Sequence, residues 1–244
     1  MKRKFSWGIV CLYSVVCSIF LLIAQLTNVC TTAVIQMIPV DRHHTIIIDA
    51  GHGGEDGGAV SCTGRVESQY NLEISLRLMD LFHLMGYQTC MIRTADVSIY
   101  KEGESLAAKK VSDLKERVRI TNEIENATLI SIHQNTFPDS KYRGAQVFYS
   151  TKGESRILAE SLQRAFCETV NPNSHRKSKK ADKIYLMEHI NCTGILVECG
   201  FLSNPQEEML LRTADYQQKL ACVIAGTVSQ FLTDSFDTAI IKEK

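Results

Sequence analysis

Short unbroken apolar runs alternate along this chain with stretches in which apolar residues recur at helical spacing. Thr45-Ile-Ile-Ile-Asp-Ala50 is β-branched and apolar throughout and ends in glycines, the pattern of a strand buried on both faces. A glycine-rich loop follows from Gly51 to Gly58. From Asn71 to Met85 the apolar positions Leu72, Leu76, Met79 and Phe82 share one helical face, and Gly86 stands where a helix C-cap is expected. Tyr87–Arg93 reads as the next strand, Ser112 as the N-cap of a helix reaching Asn126, and Thr128–Ile132 as a third strand. The alternation continues with a strand over Arg143–Tyr149 and an amphipathic helix over Glu154–Val170, its buried face formed by Leu158, Leu162, Ala165 and Phe166. A basic loop from His175 to Lys183 leads to a short strand at Ile184–Met187, then a buried strand at Gly194–Cys199. Asn204 and Pro205 open a helix as N-cap and first helical residue, and Asp215–Leu232 forms the last helix. Strands alternating with helices predict an α/β fold: one domain, a mostly parallel twisted sheet, helices on both faces.

The amino terminus has a different pattern. Met1-Lys2-Arg3-Lys4 caps an uncharged apolar run from Trp7 to Leu26, twenty residues that suffice to span a bilayer. Its length favours an anchor over a cleaved signal peptide. The basic end then stays cytoplasmic and the rest lies on the outer side of the membrane. The expected organisation is a signal peptide or membrane anchor at 1–26, a linker at 27–43, a folded domain at 44–236 and a polar tail at 237–244.

Composition narrows the function. The 244 residues carry 27 basic and 27 acidic side chains, so no global field draws the protein to nucleic acid, which is not expected as a partner. Nine cysteines include no CxxC pair, so a cysteine-based zinc knuckle is unsupported and most are read as small hydrophobes. The loop from Gly51 fails as a phosphate cradle, because Asp56 stands where GxGxxG needs its third glycine and no Lys-Ser or Lys-Thr follows.

Three predicted strands run into reactive residues: the first into Gly51-His52-Gly53-Gly54, the third into His133, and the strand from Gly194 into Glu198. In open α/β sheets ligands bind beyond the carboxyl ends of the strands, so these side chains can converge. Glu67 precedes the first amphipathic helix and reaches the same edge. Two imidazoles and a carboxylate suit zinc, which takes three protein ligands in a catalytic site and keeps a fourth position open. Taken singly, a histidine is more often packed or solvated than a ligand, and His43, His44, His83, His175 and His189 have neither glycine context nor a strand end.

These residues bring in a resemblance. Ile48-Asp-Ala-Gly-His-Gly-Gly54 with Asp56 and Gly58, Glu67 with Asn71-Leu72, Arg93-Thr94, Leu114 with Arg117, Ser131-Ile-His-Gln-Asn135, Gly144-Ala145 and Val197-Glu-Cys-Gly-Phe-Leu-Ser-Asn204 resemble the zinc-dependent N-acetylmuramoyl-L-alanine amidases of the amidase 3 family. The resemblance implies one Zn2+ per chain on His52, Glu67 and His133, with Glu198 as catalytic acid–base. It also implies hydrolysis of the bond between N-acetylmuramic acid and L-alanine in peptidoglycan. Asn135 and Arg143, with the basic loop Arg176–Lys180, are candidates for holding the anionic stem peptide.

The layout, one catalytic domain behind an apolar segment, is most like the germination-specific amidases of spore formers, which act on cortex before muramic δ-lactam forms. A general cell-separation amidase and a catalytically weak wall-binding protein are the alternatives. Expected partners are the stem peptide and glycan, the membrane through residues 7–26, and an activator protein. The expected location is the cell envelope outside the cytoplasmic membrane, the forespore intermembrane space if spore-specific. One departure from the family pattern is Asn191-Cys-Thr-Gly194, where a proline and small apolar residues are usual.

Overall fold

The computed structural model describes residues 18–19, 41, 43–172 and 174–242, with side chains described through residue 235. The chain divides into two compact units, Met1–Pro39 and Val40–Lys244. Ser18 and Ile19, both helical, are the described residues of the first, so all but these two residues of the membrane-directed segment fall outside the described set. Among the described residues no helix is long and apolar enough to cross a membrane.

The second unit carries strands β1 (Thr45–Ala50), β2 (Gln88–Met91), β3 (Ala127–Asn135), β4 (Gln146–Tyr149), β5 (Lys179–Lys180) and β6 (Thr193–Phe201). Its helices are α1 (Glu67–Leu84), α2 (Leu106–Asn122), α3 (Ser155–Thr169), α4 (Tyr185–His189), α5 (Pro205–Leu211) and α6 (Ala214–Lys242). The strands form one sheet in the order β2-β1-β3-β6-β4-β5. β2, β1, β3 and β6 are parallel, while β4 is antiparallel to β6 and carries β5 parallel to itself. The sheet is therefore mixed, with a parallel centre.

Strand alternation decides which face each residue serves. Ile46 and Ile48 join Tyr70, Ile74, Leu78 and Phe82 of α1, Leu158 and Phe166 of α3, and Leu220 and Ile224 of α6 in one core cluster. Ile47, between them in sequence, belongs to a second cluster on the other face with Leu129, Leu196, and Leu186, Met187 and Ile190 at α4. All three isoleucines are buried, each worth about 1.5–3 kcal/mol of burial. Helices thus cover both faces, as the periodicity predicts.

Four elements differ from the sequence reading. α1 begins at Glu67, one turn before Asn71, with Val66 in the cap position and no side-chain cap. α2 begins after Ser105, whose side chain accepts from the Ala108 amide; Ser112 lies inside the helix and its hydroxyl accepts from the Lys101 and Glu102 amides. The stretch expected as a strand at Ile184–Met187 is instead the short helix α4, which buries Leu186 and Met187. Asn204 does cap α5, accepting from the amides of Gln206 and Glu207, with Pro205 next to it. α6 runs on to Lys242, past both Leu232 and the start of the expected tail.

Candidate active site

The parallel centre of the sheet carries its reactive residues to one edge. β1 ends at Ala50 and the chain turns at Gly51 and His52, the latter with a left-handed φ of 60° that is uncommon for a residue with a Cβ. Two buried arginines hold this turn by its carbonyl oxygens. Arg93 donates from Nε to the Ala50 carbonyl at 2.7 Å and from Nη2 to the Gly51 and Ser68 carbonyls at 3.0 and 2.9 Å. Arg117 donates to the Ala50 carbonyl at 3.1 Å and to the His52 carbonyl at 2.8 Å. Its guanidinium also pairs with buried Asp49, whose other oxygen accepts from Ser131 at 2.6 Å, and with Asp113. Burial opposes the charge on Asp49, but Arg117 and Ser131 outweigh it and hold that carboxyl below its ordinary range.

Glu67 lies between the two histidines. Its Oε2 is 3.3 Å from His52 Nε2 and its Oε1 is 3.0 Å from His133 Nδ1. Further bonds fix both oxygens: Oε1 accepts from the Gln134 amide and from Asn71 Nδ2, and Oε2 from the Ala59 amide. The other nitrogen of His52 faces Asp56 at 2.8 Å, and Asp56 in turn pairs with Lys110. Potential ligand atoms of His52, Glu67 and His133 all lie within 4.8 Å of one another, and among the described residues no other such group is found. Burial would lower the His52 imidazole, yet the hydrogen bonds and charges of Glu67 and Asp56 raise it to about 9. Burial would likewise raise Glu67, but the two imidazoles hold it far below the usual carboxylate range.

Close packing leaves no slack here. A Cβ on Gly51 would stand 2.2 Å from His133 Nε2, and one on Gly58 (φ 70°) would stand 2.6 Å from Glu67 Oε2. The site requires glycine at both places.

Glu198 is set beside this cluster by sheet register: it pairs with His133 across β3 and with Gln146 across β4. Its Oε2 is buried without a hydrogen-bond partner among the described residues. Burial raises its pKa to about 7, with the charge of Glu67 acting the same way and the imidazoles against it. A carboxyl poised near neutrality is suited to taking and returning a proton.

Asn135 and Arg143 are placed by different elements. Asn135 closes β3, its carbonyl accepting from the Leu202 amide. Arg143 is exposed and borders a separate cavity of about 380 Å³ shared with Asn171, Glu207 and Tyr216. In the basic loop, Arg176 is tied to the Arg143 carbonyl and Gln146, whereas Lys179 and Lys180 lie exposed on β5. His44, His83 and His189 bond to Asn126 and Thr128, to Thr89, and to the Tyr185 carbonyl, away from the cluster. The positioning duties of Arg93, Arg117, Asn71 and Asp56 were not assigned from sequence. Arg117 entered the sequence reading through the family resemblance, and in the structure it stands with Glu116 and Thr121 in the buried phase of α2.

A His–Glu–His cluster beside a poised buried carboxyl, at the carboxyl edge of an α/β sheet, defines a hydrolase site. The family is then given directly: the N-acetylmuramoyl-L-alanine amidase family matches residues 46–230, and the chain belongs to it. The germination-specific N-acetylmuramoyl-L-alanine amidase of Bacillus subtilis (strain 168) is 37% identical over 195 residues, covering 79% of this chain and 81% of that one. Among solved structures, the CwlD amidase from Clostridioides difficile in complex with the GerS lipoprotein matches with a TM-score of 0.74 and 38% identity, over 77% of this chain and 98% of that one. An N-acetylmuramoyl-L-alanine amidase from Clostridium difficile 630 matches with a TM-score of 0.68 and 29% identity, over 79% and 98% of the two chains. The chain is therefore an enzyme of the peptidoglycan amidase class, whose substrate lies outside the cytoplasm.

Proposed function

We propose that this amidase is zinc-dependent, with His52, Glu67 and His133 as ligands and Glu198 as the acid–base, and that it acts on spore cortex during germination. The observation that carries the reading is the gathering of the three ligand groups within 4.8 Å beside the unpartnered oxygen of Glu198. The donor set fits the metal: two imidazoles and one carboxylate are a common catalytic zinc set, and Asp56 behind His52 supplies the orienting carboxylate such ligands usually have. Bound zinc supplies Lewis acidity and a water of lowered pKa.

The chain's own groups account for the proton movements. Glu198 takes a proton from water as its oxygen bonds to the lactyl carbonyl carbon. When the carbon–nitrogen bond breaks, Glu198 returns that proton to the departing L-alanine amine, a role typically worth about 10²- to 10⁴-fold. Glu67 stays ionised throughout, held by its two imidazoles and two backbone amides.

The cortex assignment is supported by the germination-specific relative, and δ-lactam formation would follow on the peptide-free muramic acid this enzyme leaves. A protein activator is supported by the similar CwlD amidase, whose structure is a complex with a lipoprotein. The domain limits of 44–236, a membrane anchor at residues 7–26 and a place in the forespore intermembrane space belong to the same reading. The test is to incubate the full chain with zinc and either cortex or vegetative peptidoglycan, with and without chelator, and to identify the fragments by mass spectrometry. Stem peptides with a free L-alanine amine, released from cortex and lost on chelation, are expected. Chelator-insensitive release would sink the zinc assignment, and preference for vegetative wall would sink the cortex one.

A further inference from the structure

A cavity of about 340 Å³ opens directly on the cluster, with His52 and His133 in its wall. Its apolar lining comes from Leu114 of α2, Ile184, Leu186 and Leu196. The acids in its wall are answered in place: Asp49 and Asp113 by Arg117, and Asp56 by Lys110 and His52. One lining cation is left over. Among the described residues no carboxylate pairs with the ammonium of Lys183, an exposed residue at the mouth of the cavity.

The backbone at Lys183 is also unusual. Its φ is 59°, a left-handed conformation that residues with a Cβ rarely adopt. The Lys183 amide donates to Glu188 Oε1 at 2.8 Å across the start of α4, which fastens the strained turn. Strain of this kind, retained by a dedicated bond at the rim of a functional cavity, is a pointer to use. Because basic and acidic residues balance at 27 each, attraction of an acidic ligand has to be local rather than global.

We propose that this cavity receives the stem peptide and that Lys183 reads a free carboxylate on it, which makes Lys183 a specificity-determining residue. The inference rests on the amidase reading above. An acidic peptide entering here would lay its apolar portion against Leu114 and Ile184 and its carboxylate against the one wall cation without an internal partner, while the amide to be cut lies toward His52 and His133.

The test uses the zinc-loaded full chain and two muropeptides that differ at the second stem residue, one with a free α-carboxylate and one with that carboxylate amidated. Calorimetry on the wild type should find the free acid bound about five-fold more tightly, as for a partly exposed ion pair. Lys183→Gln should bring that ratio close to one by weakening the free acid alone, and Lys183→Arg should restore it. Lys183→Gly relaxes the backbone and removes the charge, so it should behave like Lys183→Gln if charge is what matters. A ratio unchanged in Lys183→Gln, or an equal loss for both ligands, overturns the proposal. Turnover of the same muropeptides by the wild type is scored separately: discrimination in binding without cleavage would leave the recognition intact and overturn the reaction.

Discussion

Glu198 is the residue at which catalysis and stability should oppose each other most clearly. Its carboxyl moves from an ordinary 4.5 to about 7, chiefly through burial. A folded-state pKa raised in this way gives a contribution fully present below about pH 4.5 and lost as pH rises through about 7. Each tenfold preference for the neutral form is worth about 1.4 kcal/mol, so the ionised carboxyl withholds on the order of 3 kcal/mol at pH 8. Glu198→Gln removes that penalty. The new amide leaves an N–H unpaired where Oε2 was, which returns about 1 kcal/mol, for a net gain near 2 kcal/mol. In a domain of this size that is about 4–8 °C in Tm. The assay is thermal unfolding of chelator-treated wild type and variant from pH 5 to pH 8, where no dication tunes the carboxyl. The variant's advantage should widen by roughly 2–3 kcal/mol across that range while its zinc-loaded activity falls about 10²- to 10⁴-fold. Parallel stability curves would refute the account of Glu198 as a carboxyl strained by burial.

Three further expectations concern its supports. Arg117→Met strands Asp49 in the interior and should cost about 3–5 kcal/mol by urea unfolding, with part of the loss recovered when Asp49→Asn is added. Gly51→Ala forces the His133 ring aside, so zinc retained after dialysis should drop while far-ultraviolet circular dichroism stays that of the wild type. Asp56→Asn should weaken zinc about 10- to 100-fold in competition with a chelating dye, through loss of the carboxylate behind His52.

The sequence made the central strands and three of the four candidate site residues, His52, His133 and Glu198, readable for one physical reason. Buried parallel strands are continuous apolar runs, and a polar residue ending such a run has few explanations besides a site. β1 begins and ends where its pattern does, at Thr45 and Ala50. Legibility fails where polar residues are buried. The first turn of α1 reads as loop because Glu67 and Ser68, though polar, are buried. α2 hides its start because its buried positions are Glu116, Arg117 and Thr121, so apolar periodicity cannot locate it and two serines compete as caps. α4 is one turn long, and a run of four apolar residues has no measurable period. The clamps made by Arg93 and Arg117 join residues far apart in the chain to backbone carbonyls, a contact that no local pattern encodes.

The reversal of β4 has a consequence for how this architecture can change. Because β4 runs against β3, the link between them starts and finishes at the catalytic edge, passing β6 where the Phe137 amide meets Ser203 Oγ. Residues added between Phe137 and Arg143 would enter solvent above the reactive groups and disturb no layer of the core. Loop closure charges only about 0.6 kcal/mol for each doubling in length. A lineage built on this sheet can therefore acquire or discard a cover over its chemistry by editing one connection, and inherit the rest unaltered.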